Sequence, residues 1–328
     1  MRFAEQWSWC TLESISDVAP MIREFRLRPD GGVAPYPAGS HVNVAVLIDG
    51  QPARRSYSLV GDRNPHIYRI AVRLAPDSRG GSRAMWHLKP GARIEISTPA
   101  SLLEIDWNRR NYCLIAGGIG ITPISAIAGA LHRRNVDLRL HYAVKSRGEA
   151  AYLGELSALL GDRMIVHASD ARERIDLDTT FRTLPPDAIA IICGPMRMLE
   201  AARRAWNEAG RAPADLRYET FGSSGLLPTA EFRVRLKDCD AELVVSPNAS
   251  MLDVLNDAGF EVMSDCQRGE CGVCAVDVIA VDGEIDHRDV FFSDAQKQGN
   301  RKICPCVSRA IGVVTIDTLY RPEATPRS

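Results

Sequence analysis

The alternation of apolar and polar positions divides the chain into stretches with different predicted structures. In the first hundred residues or so, short alternating runs are separated by Gly, Pro and Asp, which is typical of antiparallel strands joined by turns. The clearest runs predict strands at His41–Ile48, Arg55–Leu59, Ile67–Leu74 and Arg93–Ser97. Strands at this spacing favour a small antiparallel β-barrel.

From Asn111 onward, short apolar runs alternate with longer stretches of helical periodicity. The predicted strands are Tyr112–Ala116, Asp137–Val144, Met164–Ala168 and Ala188–Cys193. Predicted helices run from a glycine turn to about Arg134, and over Ala150–Leu160 and Met196–Ala209. Strand–helix alternation of this kind indicates a doubly wound, parallel α/β sheet.

A segment rich in Gly, Ser and Pro, Phe221–Thr229, predicts a linker before a third compact part of the chain. Beyond it, Phe232–Leu236 and Glu242–Val245 resemble a hairpin, and Met251–Ala258 a short helix. We therefore predict three domains, at residues 1–108, 109–226 and 227–328.

Composition narrows the classes of partner and the compartment. The 328 residues carry a formal net charge of -1 and show no clustered basic surface, so nucleic acid is not an expected partner. No apolar run reaches the roughly eighteen residues that a membrane helix needs, and the first ten residues lack the apolar core of a secretion signal. Nine cysteines without such a signal do not indicate a disulfide framework. We expect a cytoplasmic protein.

The strongest chemical motif is a group of cysteines in the C-terminal quarter. Cys266, Cys271 and Cys274 have Cys-x4-Cys-x2-Cys spacing, which is the plant-type [2Fe–2S] arrangement, and a further cysteine lies about thirty residues on. Gly269 and Gly272 would let backbone amides turn toward the sulfurs. The alternative, a structural zinc site, usually has two Cys-x-x-Cys pairs, and the sequence has one. The fourth ligand remains open between Cys304 and Cys306.

Residues suited to a flavin occur in the predicted barrel. Arg55-Ser56-Tyr57-Ser58 offers a guanidinium for the phosphate or ribityl end, an aromatic ring and, in Ser58, a hydroxyl for the flavin N5. Taken alone, this run is equally an ordinary edge strand. A second candidate flavin segment precedes a predicted helix and contains Arg79, Gly80, Gly81 and Ser82. Its free backbone amides could bind a phosphate. The alternative is an ordinary surface turn.

A nucleotide-binding turn follows the first strand of the predicted parallel sheet. Its glycines allow a tight turn and close approach of a pyrophosphate, but it is not the GxGxxG dinucleotide fingerprint, which disfavours a standard Rossmann dehydrogenase. The residues proposed to bind there are Gly117, Gly118, Gly120, Thr122 and Pro123. Cys193-Gly194-Pro195 ends a later buried strand and is a second candidate nicotinamide segment; the alternative is that its cysteine is a small apolar core residue.

Together these motifs resemble the phthalate dioxygenase reductase and vanillate O-demethylase reductase family, over essentially the whole chain and in the family's order. The resemblance implies a flavin barrel, a nucleotide domain and a C-terminal β-grasp ferredoxin domain, with FMN as flavin and NADH as donor. It points to Cys306, in Cys306-Val307-Ser308-Arg309, as the fourth cluster ligand. Asp286-His287-Arg288-Asp289 is also similar to segments of vanillate demethylase-type reductases.

The resemblance also assigns roles to single residues. Backbone atoms of Ala71, Val72 and Arg73 would face the pyrimidine edge of the flavin, and Cys193 would lie beside the carbon that transfers hydride. Phe221, in Tyr218-Glu219-Thr220-Phe221, would shield the flavin until nicotinamide displaces it. The gap between Cys274 and Cys306 is longer than the family pattern, which predicts a lengthened hairpin at Val278–Gly283.

The implied function is that of the reductase component of a Rieske-type oxygenase system, an NADH-dependent oxidoreductase that passes hydride to FMN and single electrons through the cluster to the oxygenase. The chain is not itself that oxygenase, since none of its seven histidines has Cys-x-His spacing. A reductase for a cytochrome P450 or a free ferredoxin, and a redox sensor that uses the cluster as a switch, are the alternatives. Lys145 and Arg147 after the second strand favour NADPH on charge alone, so the choice of nucleotide stays open.

Overall fold

The computed structural model describes residues 6–48, 50–74, 80–101, 103–221, 225, 227, 229–237, 239 and 241–318. Arg79 and positions 222–224, 226 and 228 of the predicted linker lie outside the described residues. The chain forms two compact units, Met1–Glu219 and Thr220–Ser328. The predicted boundary after residue 108 falls inside the first unit, and the division into three domains stays a prediction.

The first part of unit one is an antiparallel barrel, as the sequence predicted. Its elements are β1 (Trp7–Ala19), β2 (Ile22–Pro29), β3 (His41–Ile48), β4 (Gln51–Ser58), β5 (Tyr68–Arg73), α1 (Gly81–His87) and β6 (Arg93–Ser97). The strand order is β4-β3-β6-β1-β2-β5. A bridge between Leu59 and Ile70 joins the two outer strands, and the Val60 N–H donates to the Arg69 carbonyl at 2.9 Å. The sheet thus closes on an apolar core.

Strands β1 and β2 were absent from the sequence-based prediction. In β1 only Cys10 and Leu12 are fully buried, and the register shifts twice, between Leu12 and Ser14 and between Asp17 and Ala19. Each shift reverses the side of the sheet that the following side chains face, so the two-residue period that marks a strand is lost.

The second part of unit one is the predicted parallel α/β sheet. Its elements are β7 (Asn111–Gly117), α2 (Ile121–Arg133), β8 (Asp137–Val144), α3 (Leu153–Leu160), β9 (Met164–Ala168), α4 (Leu177–Thr183), β10 (Ile189–Cys193), α5 (Met196–Glu208) and β11 (Leu216–Glu219). The order β11-β10-β7-β8-β9 means that the chain moves outward from β7 to β9 and then returns to the other side of β7. The carboxyl ends of β7 and β10 therefore border the crevice where ligands bind in such sheets.

Unit two is a five-stranded mixed sheet that carries the cysteines in its loops. Its elements are β12 (Phe232–Leu236), β13 (Glu242–Val245), α6 (Met251–Asp257), β14 (Val276–Asp286), α7 (Asp294–Gln298), β15 (Lys302–Ile303) and β16 (Arg309–Asp317), with strand order β13-β12-β16-β14-β15. The expected hairpin at Val278–Gly283 is wrong, because β14 continues through these residues and pairs with β16 along its length. Among the described helices of the whole chain, none has the length and apolar character of a membrane span.

Candidate functional site

Two cysteine-bearing loops converge in unit two: one carries Cys266, Cys271 and Cys274, and the other carries Cys304 and Cys306. The Sγ atoms of Cys274 and Cys306 are 3.3 Å apart, and Cys304 also hydrogen-bonds to Cys274. The Cys266 thiol interacts with that of Cys271 and lies close enough to influence Cys306. Cys274 and Cys306 are buried, whereas Cys266 and Cys271 are half-buried. The structure thus brings the three spaced cysteines and the later pair together.

Backbone amides point at these sulfurs, as a cluster requires. The Arg268 N–H donates to Cys266 Sγ at 3.4 Å, and the Gly269 N–H donates to the Cys306 thiol. Gly269 and Gly272 have φ angles of 76° and 70°, a left-handed conformation that glycine adopts without strain. N–H···S bonds of this kind stabilise a cluster and tune its potential.

The protonation of the thiols shows why this site needs positive charge. Hydrogen bonds from Cys304 and Cys306 hold the pKa of Cys274 well below the ordinary value of a thiol. The Cys274 thiolate and then burial raise the pKa of Cys306, and burial raises that of Cys271. One thiolate is stabilised here, but several together require cations, which iron ions supply. The residues therefore fit an iron–sulfur cluster.

The two candidate fourth ligands differ in their neighbours. Cys306 interacts with Cys266 and with the Gly269 amide, both in the loop of the first two cysteines. The hydrogen bond with Cys274 and then burial raise the pKa of Cys304, and the buried carboxylate of Asp289 close by raises it further. A ligating thiolate is disfavoured beside a carboxylate, and this contrast supports Cys306.

The predicted nucleotide loop lies at the crevice of the parallel sheet. In register, Cys193 of β10 pairs with Ala116 of β7, so the loops after these two strands are neighbours. A Cβ on Gly120 would collide with the Cys193 carbonyl oxygen, which makes glycine necessary there. The Thr122 hydroxyl donates to the Ile119 carbonyl at 2.9 Å and fixes the turn. Pro123 stands in the first turn of α2, where its missing N–H costs nothing.

A cavity of about 310 Å³ opens beside this loop, within unit one. Its walls include the predicted residues Arg73, Gly117, Gly118 and Pro195, and in addition Ala19, Met21, Ile22, Ile119, Ala143, Val144, Lys145, Glu149, Ser169 and Met198. Cys193 is buried at its strand end, and Gly194 packs against Met198. The cavity therefore combines bare glycine amides, apolar walls and a few charged groups, as nucleotide sites do.

The predicted flavin residues lie on the barrel. A Cβ on Gly81 would be 2.6 Å from Nε of Arg55, so this guanidinium lies directly on the turn formed by Gly80, Gly81 and Ser82. Ser58 is 3% exposed, and its hydroxyl has no hydrogen-bond partner in the part of the chain that the structure describes. A buried hydroxyl without a partner is costly unless a ligand supplies one.

Other residues of the flavin motif have structural contacts. The Ser56 hydroxyl is hydrogen-bonded to Asn43, and Tyr57 packs against the barrel core, where burial raises the pKa of its hydroxyl. Ala71 and Val72 are buried in β5. Phe221 is half-buried at the start of unit two, and its predicted role at the flavin stays a prediction.

A buried ion pair network connects the barrel with the α/β part of unit one. Glu24 of β2 is 1% exposed and accepts hydrogen bonds from Arg69 at 2.7 Å, Arg26 at 2.9 Å and the Tyr152 hydroxyl at 3.1 Å. Burial raises the pKa of Glu24, but these hydrogen bonds outweigh it and hold the pKa below its usual value. Tyr152 has a left-handed backbone conformation, with φ 60°. The network holds the two parts of unit one together.

Sequence reasoning missed several cavity residues for identifiable reasons. Met21 and Ile22 lie at the turn between two strands that the pattern did not reveal. Glu149 and Ser169 follow β8 and β9, so the rule that ligands bind at the carboxyl ends of parallel strands could have found them. No signal in the sequence marked Glu24 as a buried charge.

Known proteins share this fold and these motifs. A family model described as the 2Fe-2S iron-sulfur cluster binding domain matches residues 234–310. The chain is 36% identical to the heme-dependent oxidative N-demethylase beta subunit of Ectopseudomonas mendocina, covering 91% of this chain and 94% of the relative. It is 31% identical to the vanillate O-demethylase oxidoreductase of Acinetobacter baylyi, covering 91% and 95%. The structure of phthalate dioxygenase reductase superposes with a TM-score of 0.75 at 28% identity, covering 95% and 98%.

These relatives are oxidoreductases and subunits of oxygenase systems, so the sequence-based prediction of an electron-transfer enzyme with flavin, pyridine nucleotide and [2Fe–2S] cofactors is confirmed. None of these three proteins is named as a redox sensor, which was one of the alternatives. The chain belongs to the family of flavin- and [2Fe–2S]-containing reductases that supply electrons to oxygenases.

Proposed function

We propose that this protein is the cytoplasmic reductase component of a Rieske-type oxygenase system, with NADH as donor and FMN as flavin. The observation that carries the proposal is the presence, in one chain, of a nucleotide cavity at the β7–β10 crevice and a four-cysteine site in a ferredoxin fold. When bound, the cofactors accept hydride from nicotinamide and release electrons singly to the acceptor protein.

The residues of this chain bind and orient the cofactors. We assign Arg55 and the Gly80–Ser82 turn to the flavin phosphate, and the unpartnered Ser58 hydroxyl to a hydrogen bond with the flavin ring. The loop Gly117–Pro123 would hold the pyrophosphate of the nucleotide, with Cys193 beside the nicotinamide. Cys266, Cys271, Cys274 and Cys306 are the proposed cluster ligands. The phosphate cradle at Gly80–Ser82, the one cradle found on the described part of the barrel, supports FMN. Acid extraction followed by chromatography distinguishes FMN from FAD.

Charges near the cavity support NADH over NADPH. Arg147, which could bind a 2′-phosphate, is paired with Glu173 through contacts of 2.9 and 3.1 Å. Glu149 lines the cavity together with Lys145, so a carboxylate offsets the remaining basic residue. A carboxylate there favours the free ribose hydroxyls. Steady-state reduction of cytochrome c should give a kcat/KM at least about tenfold higher for NADH, a difference of about 1.4 kcal/mol. A preference for NADPH would contradict this assignment.

The partner is tested by reconstitution with purified oxygenase components. We expect a Rieske-type O-demethylase component to form product in step with NADH oxidation, as the similarity to a vanillate O-demethylase reductase supports. NADH oxidation without product for every Rieske component tried would contradict the proposal.

A haem-containing partner is the second candidate. The relative from Ectopseudomonas mendocina is named as a subunit of a heme-dependent demethylase and is 36% identical to this chain. Coupled turnover with a haem oxygenase and none with Rieske components would favour this alternative, while leaving the flavin and cluster assignments unchanged.

A further inference from the structure

The segment Asp286–Val290, here called the brace, joins the two cysteine-bearing parts of unit two. The Val290 N–H donates to the Gly269 carbonyl at 2.9 Å, in the loop between Cys266 and Cys271. The Arg288 N–H donates to the Ser308 hydroxyl at 3.1 Å, two residues after Cys306. The Ser308 hydroxyl donates in turn to the fully buried Asp289 carboxylate at 3.2 Å. The brace is therefore fixed to both sides of the cluster site.

The same brace holds the end of the predicted linker through the Arg288 side chain. Arg288 is buried and pairs with Asp286 at 2.7 Å, and its Nη2 donates to the Thr229 hydroxyl at 3.2 Å and the Leu227 carbonyl at 3.4 Å. A Cβ on Gly225 would collide with the Asp286 carboxylate, so the backbone at this point lies directly on the ion pair. The described linker residues Gly225, Leu227 and Thr229 thus lie against unit two.

The beginning of unit two is held by the cysteine loop itself. The Thr220 N–H donates to Glu270 Oε1 at 3.1 Å, and Arg268 pairs with Glu270 Oε2 at 3.1 Å. Both side chains are buried, at 6% and 10% exposure. Glu270 precedes Cys271, and Thr220 follows the last residue of β11. Thr220, the first residue of unit two, is thus hydrogen-bonded to the loop that carries the proposed ligand Cys271.

We propose that Glu270 and Arg288 are positioning residues. They fasten Thr220, Gly225, Leu227 and Thr229 to unit two beside the cluster loops, and so leave fewer residues of the tether between β11 and β12 free to move. The proposal rests on the proposed electron transfer from flavin to cluster, in which each step oxidises the flavin by one electron and reduces one iron. A short, ordered tether raises the effective concentration of one redox centre near the other, whereas a long, loose tether lowers it. Residues Asp286–Asp289 would thereby affect electron transfer through the tether.

The test compares Arg288→Ala, Arg288→Lys and Glu270→Gln with Arg233→Ala, an exposed arginine of β12 in the same unit. Hydrogen–deuterium exchange of peptides covering residues 219–230 should be at least about tenfold faster in Arg288→Ala and Glu270→Gln. Anaerobic stopped-flow mixing with NADH should show flavin reduction within about twofold of the unmodified protein and cluster reduction slowed at least about tenfold. Arg288→Lys should restore part of this loss, and Arg233→Ala should behave as the unmodified protein.

Acid-labile sulfide and the EPR spectrum of the reduced cluster are measured first in every variant. If exchange and cluster reduction are unchanged in a variant that keeps its cluster, the proposal is overturned. It is also overturned if both Arg288→Ala and Glu270→Gln lose the cluster, since the residues then serve assembly. Failure of the unmodified protein to reduce its flavin with NADH would instead contradict the proposed function. The hydrogen–deuterium exchange result would still test whether Glu270 and Arg288 hold the tether.

Discussion

At the scale of single residues, function depends on which polar atoms the fold leaves for a ligand. The Ser58 hydroxyl is buried without a partner among the described residues, whereas the hydroxyl of Ser56, two residues earlier, is bonded to Asn43. The thiols show a similar distinction: both Cys304 and Cys306 interact with Cys274, but Cys306 also interacts with Cys266 and the Gly269 amide, whereas Cys304 lies near Asp289. Neighbouring residues of one type are thus assigned different roles by their contacts.

Replacing Ser58 by alanine should slow flavin reduction by NADH about a hundredfold, because a single donor aimed at a reacting centre contributes on this order. The rate constant is measured by anaerobic stopped-flow absorbance. Ser8→Ala, an exposed serine of β1, is the control and should leave the rate unchanged. A Ser58→Ala protein that binds flavin and reduces it at the normal rate would refute the assignment.

The two late cysteines give a paired prediction. Cys306→Ser should lose most of its acid-labile sulfide and visible cluster absorption, because the proposed fourth ligand is gone. Cys304→Ser should keep both near the level of the unmodified protein, since its neighbour is a carboxylate. The opposite pattern would make Cys304 the ligand.

At the scale of elements, two features fix strands and loops relative to one another: a close backbone contact at Gly120 and the buried carboxylate of Glu24. The loop after β7 can lie against β10 only because position 120 has no Cβ. The barrel and the parallel sheet meet at Glu24, a carboxylate fully enclosed by two arginines and a tyrosine hydroxyl.

Gly120→Ala should therefore raise the KM for NADH at least about tenfold, as the loop must move away from β10 to admit the methyl group. Gly154→Ala in α3 is the matched control, because a Cβ there meets no atom within 4 Å. The control should keep the normal KM and gain up to about 1 kcal/mol of stability from better helix propensity. A normal KM in Gly120→Ala would show that the loop does not bind the pyrophosphate.

Glu24→Gln should destabilise the protein by about 3 kcal/mol, because it leaves the largely buried Arg69 with only its exposed partner Glu155. The pKa of Glu24 is lowered in the folded protein, so its contribution is present above the ordinary value of 4.5 and is lost as the pH falls through the folded pKa. Urea unfolding at pH 7 and at acidic pH measures the free energy of unfolding of both proteins. The difference in this free energy between variant and unmodified protein should become smaller at acidic pH. Asp17→Asn, which breaks an exposed pair with Arg23, should cost less than about 1 kcal/mol.

Elements with a regular pattern were predictable from the sequence, and those shaped by tertiary contacts were not. His41–Ile48, Asp137–Val144 and Phe232–Leu236 have the predicted bounds, because their apolar periodicity reflects burial directly. The register shifts of β1 and the buried charge of Glu24 left no local signal. The site motifs were found for a related reason: glycine turns and cysteine spacings are local, whereas the cavity walls come from distant segments.

At the scale of the whole molecule, three cofactors that differ in the number of electrons they carry are served by one chain. Unit one contains the proposed flavin and nucleotide residues apart from Phe221, and unit two contains Phe221 and the proposed cluster ligands. The central claim is that an electron pair enters from NADH and leaves through the cluster one electron at a time. The two curated relatives align with 91% of the chain, and the fold of phthalate dioxygenase reductase covers 95% of it.

Anaerobic titration of the purified protein with NADH, followed by visible absorbance and EPR, tests this claim most directly. We expect the flavin absorbance to bleach and the EPR signal of a reduced [2Fe–2S] cluster to appear, with about 1.5 equivalents of NADH for full reduction, since the flavin takes two electrons and the cluster one. Cys306→Ser should bleach its flavin without the signal. Bleaching of the unmodified protein with no cluster signal would contradict the account.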